Sequence, residues 1–113
     1  MQPQQQATLL RLFCGERDRH GHQPLYEAIV TKAREHGLAG ATVLRGALGY
    51  GASSKLHTAK LLELSDDLPI VVEIVDSDER IQSFLPLLDA MMSSGLVTLE
   101  KVRVLRYGLP GKK

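Results

Sequence analysis

The stretch that decides the fold runs from residue 70 to residue 79 and reads Ile-Val-Val-Glu-Ile-Val-Asp-Ser-Asp-Glu. All of its first six residues except Glu73 are β-branched and apolar, which predicts a buried strand over residues 70–75. Asp76 is followed three residues later by Glu79, a spacing typical of a helix N-terminus, where both side chains cap free backbone amides. The stretch therefore predicts a strand that passes directly into a helix.

Apolar residues continue this pattern at helical spacing after Asp76. They form one stripe, which contains Ile81, Leu85, Leu88 and Met92. Pro86 lies inside the stripe and is expected to bend the helix or to remove one of its backbone hydrogen bonds. Gly95 is expected to end the helix, and a last strand follows over residues 96–107.

The N-terminal half predicts a similar series of elements. An apolar strand is expected over residues 7–14, then a helix over residues 24–36 that Gly37 ends, then a strand over residues 41–50. Residues 57–64 are expected to form an irregular or edge strand. The resulting order β-α-β-β-α-β predicts an α+β fold, the ferredoxin-like sandwich, with a four-stranded antiparallel sheet and two helices on one face.

Composition points to one globular domain over residues 1–113, with an ordered core at about residues 7–107 between polar tails. The chain has 113 residues, of which 43% are hydrophobic and 24% charged. A net charge of +1 gives no reason to expect a nucleic-acid partner. The one cysteine, Cys14, excludes an intrachain disulfide, which suits a cytoplasmic protein. No apolar run approaches the about 20 residues of a membrane helix.

Alternation along the predicted strands separates an apolar set of side chains from a mixed set. The apolar set is expected to meet the helices: Leu10, Leu12, Cys14, Leu44, Leu48, Ile70, Val72, Ile74, Val102 and Val104. The mixed set is Leu9, Arg11, Phe13, Val43, Arg45, Ala47, Val71, Glu73, Val75, Lys101, Arg103 and Leu105. A surface left in water would be more polar than this set, and a sealed core would exclude its arginines.

We therefore interpret the mixed set as an interface between copies of the chain, in which charged groups pair across subunits. The interface residues are predicted to include Arg11, Phe13, Arg45, Glu73 and Val75. The alternative interpretation is a partly exposed sheet whose arginines extend their heads into solvent.

The best candidate for a ligand site is the loop with Gly49, Tyr50 and Gly51. Glycines let backbone amides approach a phosphate closely, and Lys55 adds positive charge. Neither a Walker loop nor a dinucleotide fingerprint is present, and glycine content alone favours a plain hairpin connection. His57 is expected either to hydrogen-bond a ligand or to fix the base of the loop.

No set of residues predicts catalysis or metal binding. Cys14 ends a buried strand without an adjacent base, and Ser53 and Ser54 lack the GxSxG pattern of a nucleophile elbow. The spacing of the histidines does not suit a closed zinc site. We expect that the protein is not an enzyme.

Several motifs together resemble one family. They are the string Arg45-Gly46-Ala47-Leu48-Gly49-Tyr50-Gly51, then His57-Thr58, the stretch from residue 64 to residue 76, Leu85-Pro86 and Gly95-Leu96-Val97-Thr98. The combination covers about residues 7–107 and is similar to a bacterial and archaeal family of unassigned role, domain of unknown function 190. That family is similar in fold to the PII signal-transduction proteins.

The resemblance implies a homotrimer whose sheets line the centre, with an adenine nucleotide bound in clefts between neighbouring subunits. It places Gly49, Gly51, Lys55 and His57 on the loop side of the cleft. The region of the last strand would contribute Gly95, Thr98 and Arg103.

The resemblance also implies a partner protein. PII relatives dock a transporter or an enzyme through this loop, and genes of the family often lie beside fluoride-channel genes, which suggests a membrane channel or transporter as the partner. We therefore expect a regulatory protein that senses a small anionic ligand. The alternative is an oligomeric interaction module that binds the channel or transporter without a ligand.

Overall fold

The computed structural model describes residues 5–51 and 67–105. In chain order the elements are β1 (Gln5–Gly15), β2 (Arg19–His20), β3 (Gln23–Pro24), α1 (Leu25–Glu35), β4 (Thr42–Arg45), β5 (Pro69–Asp76), α2 (Asp78–Met91) and β6 (Leu96–Val104). Four strands form an antiparallel sheet in the order β4-β5-β1-β6, and both helices pack on one face of it. This confirms the predicted ferredoxin-like sandwich, while the strand predicted over residues 57–64 lies outside the described residues.

The two central strands have one fully buried side. Leu10 lies opposite Ile74 and Leu12 opposite Val72, and opposite residues of an antiparallel pair point to the same face. We call this side the helix-covered face; it carries Thr8, Leu10, Leu12 and Cys14 of β1 and Ile70, Val72 and Ile74 of β5. The other side, which we call the open face, carries Leu9, Arg11 and Phe13 of β1 and Val71, Glu73 and Val75 of β5.

The helices complete the core on the helix-covered face. Phe84 and Ile81 of α2 and Ile29 of α1 are all 0% exposed, and they pack in one cluster with the buried strand residues. Gly37, with φ at +84°, ends α1 as predicted, and the Leu38 amide donates to the Ala33 carbonyl at 3.1 Å. Pro86 lies inside α2, where it removes one backbone donor.

The predicted start of α2 is wrong. Asp76 is the last residue of β5 and is only 6% exposed, and its carboxylate accepts hydrogen bonds from the Ala39 and Ser77 amides at 2.9 and 2.7 Å. The helix cap is instead Ser77, whose hydroxyl accepts from the Arg80 amide at 3.3 Å. Asp76 cannot cap the helix because its carboxylate ties the connection between α1 and β4 to the end of β5.

A short hairpin precedes α1 that the sequence did not predict. Arg19 pairs with Pro24 and His20 with Gln23 across a two-residue turn whose Gly21 has φ at +64°. A positive φ is typical of such tight turns. The predicted helix start is also shifted, because Pro24 is the N-cap residue of α1 and the helix begins at Leu25.

The predicted faces of β4 are wrong. Val43 lies opposite Val72 and Arg45 opposite Ile70, so both belong to the helix-covered face. Leu44 lies opposite Val71 and belongs to the open face, where its side chain is 49% exposed. Arg45 therefore does not share a face with Arg11 and Glu73 as predicted.

The faces of β6 are also the reverse of those predicted. Leu99 lies opposite Leu10 and Val97 opposite Leu12, which places Lys101 and Arg103 on the helix-covered face by alternation. The open face carries the other alternate residues of β6: Leu96, Thr98, Glu100, Val102 and Val104. Both strands lie at edges of the sheet and are largely exposed on both sides, so hydropathy does not mark an inner face and pairing with the neighbouring strand decides it.

Candidate functional site

The glycine-containing turn after β4 rests against Pro69. The Gly46 amide donates to the Pro69 carbonyl at 2.8 Å. A Cβ added at Gly46 would lie 2.8 Å from Pro69 Cγ, and one at Gly49 would lie 3.1 Å from the same atom. Side chains at these two positions would push the turn away from β5. Gly46 and Gly49 therefore have a packing role, whatever they bind.

The outer part of this turn is accessible. Tyr50 is 69% exposed, and a Cβ added at Gly51 would meet no atom of the described residues within 4 Å. Both residues therefore have room to contact another molecule. Lys55 and His57, the other predicted residues of the loop side, lie outside the described residues.

An ion pair anchors the base of the turn to the end of β1. Arg45 Nη2 lies 2.7 Å from Glu16 Oε2, and the Glu16 amide donates to the Leu68 carbonyl at 2.8 Å. The other carboxylate oxygen, Glu16 Oε1, is buried and has no hydrogen-bond partner among the described residues. Arg45 thus holds β4 and β1 together on the helix-covered face, although it was predicted for the mixed face.

Gly95 directly precedes β6, the strand at the opposite edge of the sheet. Its φ is +114°, and an added Cβ would lie 2.6 Å from the Phe13 carbonyl oxygen. An L side chain would therefore be both strained and in collision with backbone. Glycine is required here by the approach of β6 to β1, independently of any ligand.

The two other predicted residues of β6 lie on different faces. Thr98 faces the open face opposite Arg11, and its hydroxyl donates to the Arg11 carbonyl at 3.3 Å. Arg103 lies opposite Gln6 on the helix-covered face. Arg103 is five residue steps from Thr98 along an extended strand, which corresponds to about 17 Å. One ligand of ordinary size does not reach both side chains from the same copy.

A single copy does not bring the two predicted halves of the site together. The turn with Tyr50 follows the edge strand β4, whereas Gly95 precedes the other edge strand, β6. Three strand spacings lie between the edges, or about 14 Å. The turn and Gly95 nevertheless lie at the same end of the sheet, because Arg45 and Gly15 adjoin the first residues of β5 and Leu96 pairs with Phe13, whereas Arg103, opposite Gln6, lies toward the other end.

The open face combines a polar row with apolar rows. Across the sheet the polar row contains Thr42, Glu73, Arg11 and Thr98. The row on one side contains Leu44, Val71, Phe13 and Leu96, and the row on the other contains Val75, Leu9 and Glu100. The Arg11 and Glu73 side chains are 34% and 31% exposed and pair at 2.8 Å within the chain. Pairing of charged groups across subunits stays a prediction.

Outside this area, the Cys14 thiol and the potential metal-ligating side chains are the groups that could carry chemistry. Burial, with a smaller contribution from Asp18, raises the pKa of the Cys14 thiol to about 11, so the thiol is protonated at neutral pH and is a poor nucleophile. Among the described residues, no three His, Cys, Asp or Glu side chains cluster as metal ligands would.

A groove of about 300 Å³ runs beside the second half of α1. Its lining residues are Val30, Ala33, Arg34, Leu38, Ala39, Gly40 and Ala41. It contains none of the predicted site residues. Within the described ranges, no helix has both the length and the apolar character that a membrane crossing requires.

Residues 7–104 match the model of the family DUF190, described as "Uncharacterized ACR". The chain belongs to this family. It is 41% identical over 97 residues to a UPF0166 protein of Aquifex aeolicus. The matched residues make up 86% of this chain and 91% of the relative. A UPF0166 protein of Methanocaldococcus jannaschii is 30% identical over 99 residues, covering 87% of this chain and 91% of the relative.

Solved structures show that the fold is PII-like. A PII-like signalling protein of Thermus thermophilus superposes with a TM-score of 0.64 at 18% identity, covering 93% of this chain and 95% of that one. CPII from Thiomonas intermedia K12, solved with ADP and bicarbonate, superposes with a TM-score of 0.58 at 19% identity, covering 92% and 93% of the two chains. Both comparisons confirm the PII-like fold that the resemblance implies.

Several residues of the open face were missed at the sequence level, Leu44 and Glu100 among them. Leu44 and Glu100 were not predicted for this face, yet the register places Leu44 beside Val71 and Glu100 beside Leu9. The signal available for Glu100 was Gly95, since the β6 register begins directly after that close approach to Phe13. For Leu44 the sequence contained no comparable signal.

Proposed function

We propose that this protein is a PII-like regulatory oligomer, a homotrimer by family resemblance, that binds an adenine nucleotide between its copies. The observation that carries the proposal is the position of the turn after β4 and of Gly95, at one end of the sheet but at opposite edges. Copies arranged around an axis bring the β4 edge of one against the β6 edge of the next. A cleft at such a boundary unites groups that a single copy keeps apart.

The open face supports the oligomer. It presents Leu9, Phe13 and Val75 beside a charged pair, Arg11 and Glu73, whose two partners already satisfy each other within the chain. Burial of this face against other copies therefore removes apolar area from water without leaving an arginine unpaired.

The ligand class follows from the loop and from the fold relatives. Backbone amides of a glycine-rich turn suit phosphate oxygens, and Tyr50 offers an exposed ring for an aromatic base. CPII, which shares the fold, has been solved with ADP, AMP and bicarbonate. An adenine nucleotide is thus the first ligand to test.

The proposal gives the loop after β4 a second role as the surface that docks a partner, with a membrane channel or transporter as the expected class. Ligand binding beside the loop changes which partner it fits. Localisation in the cytoplasm and the absence of enzymatic activity are part of the same proposal.

Two measurements test the proposal in sequence. Size-exclusion chromatography with light scattering at micromolar concentration should give a trimer; a monomer removes the clefts and the proposal with them. Isothermal titration with ATP, ADP, AMP and cyclic AMP should then give saturable heat for at least one nucleotide. A stable oligomer that binds none of the four, yet retains its channel or transporter partner in nucleotide-free buffer, supports the ligand-independent interaction module instead.

The loop residues can be tested with a matched control. Tyr50→Ala and Lys55→Ala should each weaken nucleotide binding about tenfold or more without changing oligomer size. Leu87→Ala removes an exposed apolar side chain from α2, outside the predicted site, and should bind as the wild type does. Equal binding by all three variants would remove the loop from the site.

A further inference from the structure

The open face has one carboxylate more than it has cations. Arg11 is bonded through Nε and Nη2 to Glu73 Oε2 at 2.9 and 2.8 Å. Glu100 Oε1 lies 3.9 Å from Arg11 Nη1, near the outer limit of an ion pair. Among the strand residues that the structure describes, Arg11 is the sole cation on this face.

Exposure separates the two carboxylates. The Glu73 side chain is 31% exposed and faces Arg11 closely, whereas the Glu100 side chain is 65% exposed. Glu100 is thus held mainly by water in a single copy. If the open face is buried in an oligomer, that water is lost, and an unpaired carboxylate in an apolar interface is strongly destabilising.

We propose that Glu100 of one copy pairs with the Arg11 guanidinium of the neighbouring copy, and that this bridge sets the register in which copies assemble. The inference deepens the proposed function, because it rests on the oligomer. The occupant is a second copy of this chain: Arg11, 34% exposed, is bonded closely to Glu73 alone, and each copy offers both this guanidinium and the Glu100 carboxylate, which its own Arg11 approaches only to 3.9 Å.

The role of the bridge is to select one register between the copies. Apolar rows that contain Phe13, Val71 and Leu9 flank the polar row and would pack in several offsets. Only an offset that places Glu100 at a guanidinium avoids a buried unpaired charge. Isolated polar residues fix the register and the number of copies in other apolar interfaces by the same reasoning.

The first test is charge reversal with a matched control. Glu100→Arg places like charges at the bridge and should weaken assembly about a hundredfold or more, measured as the dissociation constant by analytical ultracentrifugation. Glu35→Arg makes the same substitution at a side chain of similar exposure, 62%, in the last turn of α1, and should assemble as the wild type does. Glu100→Gln, which removes charge without repulsion, should weaken assembly about tenfold.

The second test restores the bridge with inverted charges. The triple variant Arg11→Glu, Glu73→Arg, Glu100→Arg keeps each ion pair and should recover wild-type assembly. When it is mixed with mass-labelled wild type, native mass spectrometry should find homo-oligomers in large excess, because mixed contacts place two carboxylates or two guanidinium groups together.

The outcomes separate this inference from the proposed function. A monomeric wild type refutes both. An oligomeric wild type whose Glu100→Arg and Glu100→Gln variants assemble equally well refutes the bridge and leaves the proposed function standing. Circular dichroism of each variant shows whether the chain is folded. If Glu100→Arg does not fold, Glu100→Gln and free mixing of the triple variant with wild type decide the question.

Discussion

The two faces of the central strands differ although alternate residues of the same two strands build them. On the helix-covered face, Leu12 and Val72 are 0% exposed and meet only apolar neighbours. On the open face, directly adjacent positions carry Arg11 and Glu73, each about one-third exposed and paired at 2.8 Å. The first face is complete within one copy, and the second has the composition of a surface that another copy covers.

Under the proposed function, this difference separates residues that fold the chain from residues that assemble it. Substitutions on the helix-covered face should change the free energy of unfolding of the single chain. Substitutions on the open face should change the association of copies more than the stability of each. Four predictions test that division, and they follow from the largest expected effect to the smallest.

The largest effect is expected from neighbouring residues of β1 that point to opposite faces. Leu12→Ala should lower the free energy of unfolding by about 2–5 kcal/mol, because a fully buried side chain leaves a cavity. Phe13→Ala should lower the stability of the isolated chain by less, but should raise the dissociation constant of the oligomer. Urea denaturation at low concentration measures the first effect and ultracentrifugation the second. Equal losses of stability would contradict the division.

The second effect concerns the close approach of β6 to β1, which adds β6 to the open face. Gly95→Ala should cost about 1–3 kcal/mol, because the backbone has φ at +114° and the new Cβ meets the Phe13 carbonyl. Gly40→Ala, where an added Cβ meets nothing within 4 Å, should stay within about 0.5 kcal/mol of the wild type. Thermal unfolding of both variants compares them; a tolerated Gly95→Ala would show that β6 can move away.

A smaller effect is expected at the start of α2, which covers the buried side. Ser77→Ala removes the hydroxyl that accepts from the Arg80 amide and should cost about 1 kcal/mol of unfolding free energy. Ser94→Ala, at an exposed position after the same helix, is the control and should change stability by less than about 0.5 kcal/mol. Identical denaturation midpoints would mean that Ser77 is not the working cap.

The smallest effect on stability is expected at Cys14 and only at alkaline pH. Burial raises the pKa of Cys14 to about 11 from 9.0, so the folded state favours the protonated thiol. The stabilisation from this thiol is therefore complete below pH 9 and is lost as the pH rises toward 11. Stability measured from pH 8 to 11 should fall more steeply for the wild type than for Cys14→Ala. Parallel curves, or rapid alkylation of the native protein at pH 8, would contradict burial of the thiol.

The sequence predicted the central elements well. Ile70, Val72 and Ile74 alternate with less buried residues, and a strand of that composition has few alternative conformations. Gly37 marked the end of α1 because a left-handed residue closes a helix with little strain only as glycine. These signals are local, so neighbouring residues in the chain suffice to interpret them.

The edge strands and the site were predicted less well, for a physical reason. Val43 and Leu44 are both apolar and both exposed, so the pattern did not show which faces the helices. For the site, Tyr50 and Thr98 were identified separately, but nothing local indicates that they end at opposite edges of the sheet. The distance between Tyr50 and Thr98 depends on the order of the strands in the sheet.

The sequence by itself determined the main strands and helices, the apolar core on β1 and β5 and the family, because each depends on short-range patterns. Only the tertiary structure decided the faces of β4 and β6, the bond of Asp76 to the Ala39 amide, and the intrachain pairing of Arg11 with Glu73. These features depend on strand register, and register is fixed by contacts between residues that are far apart in the chain.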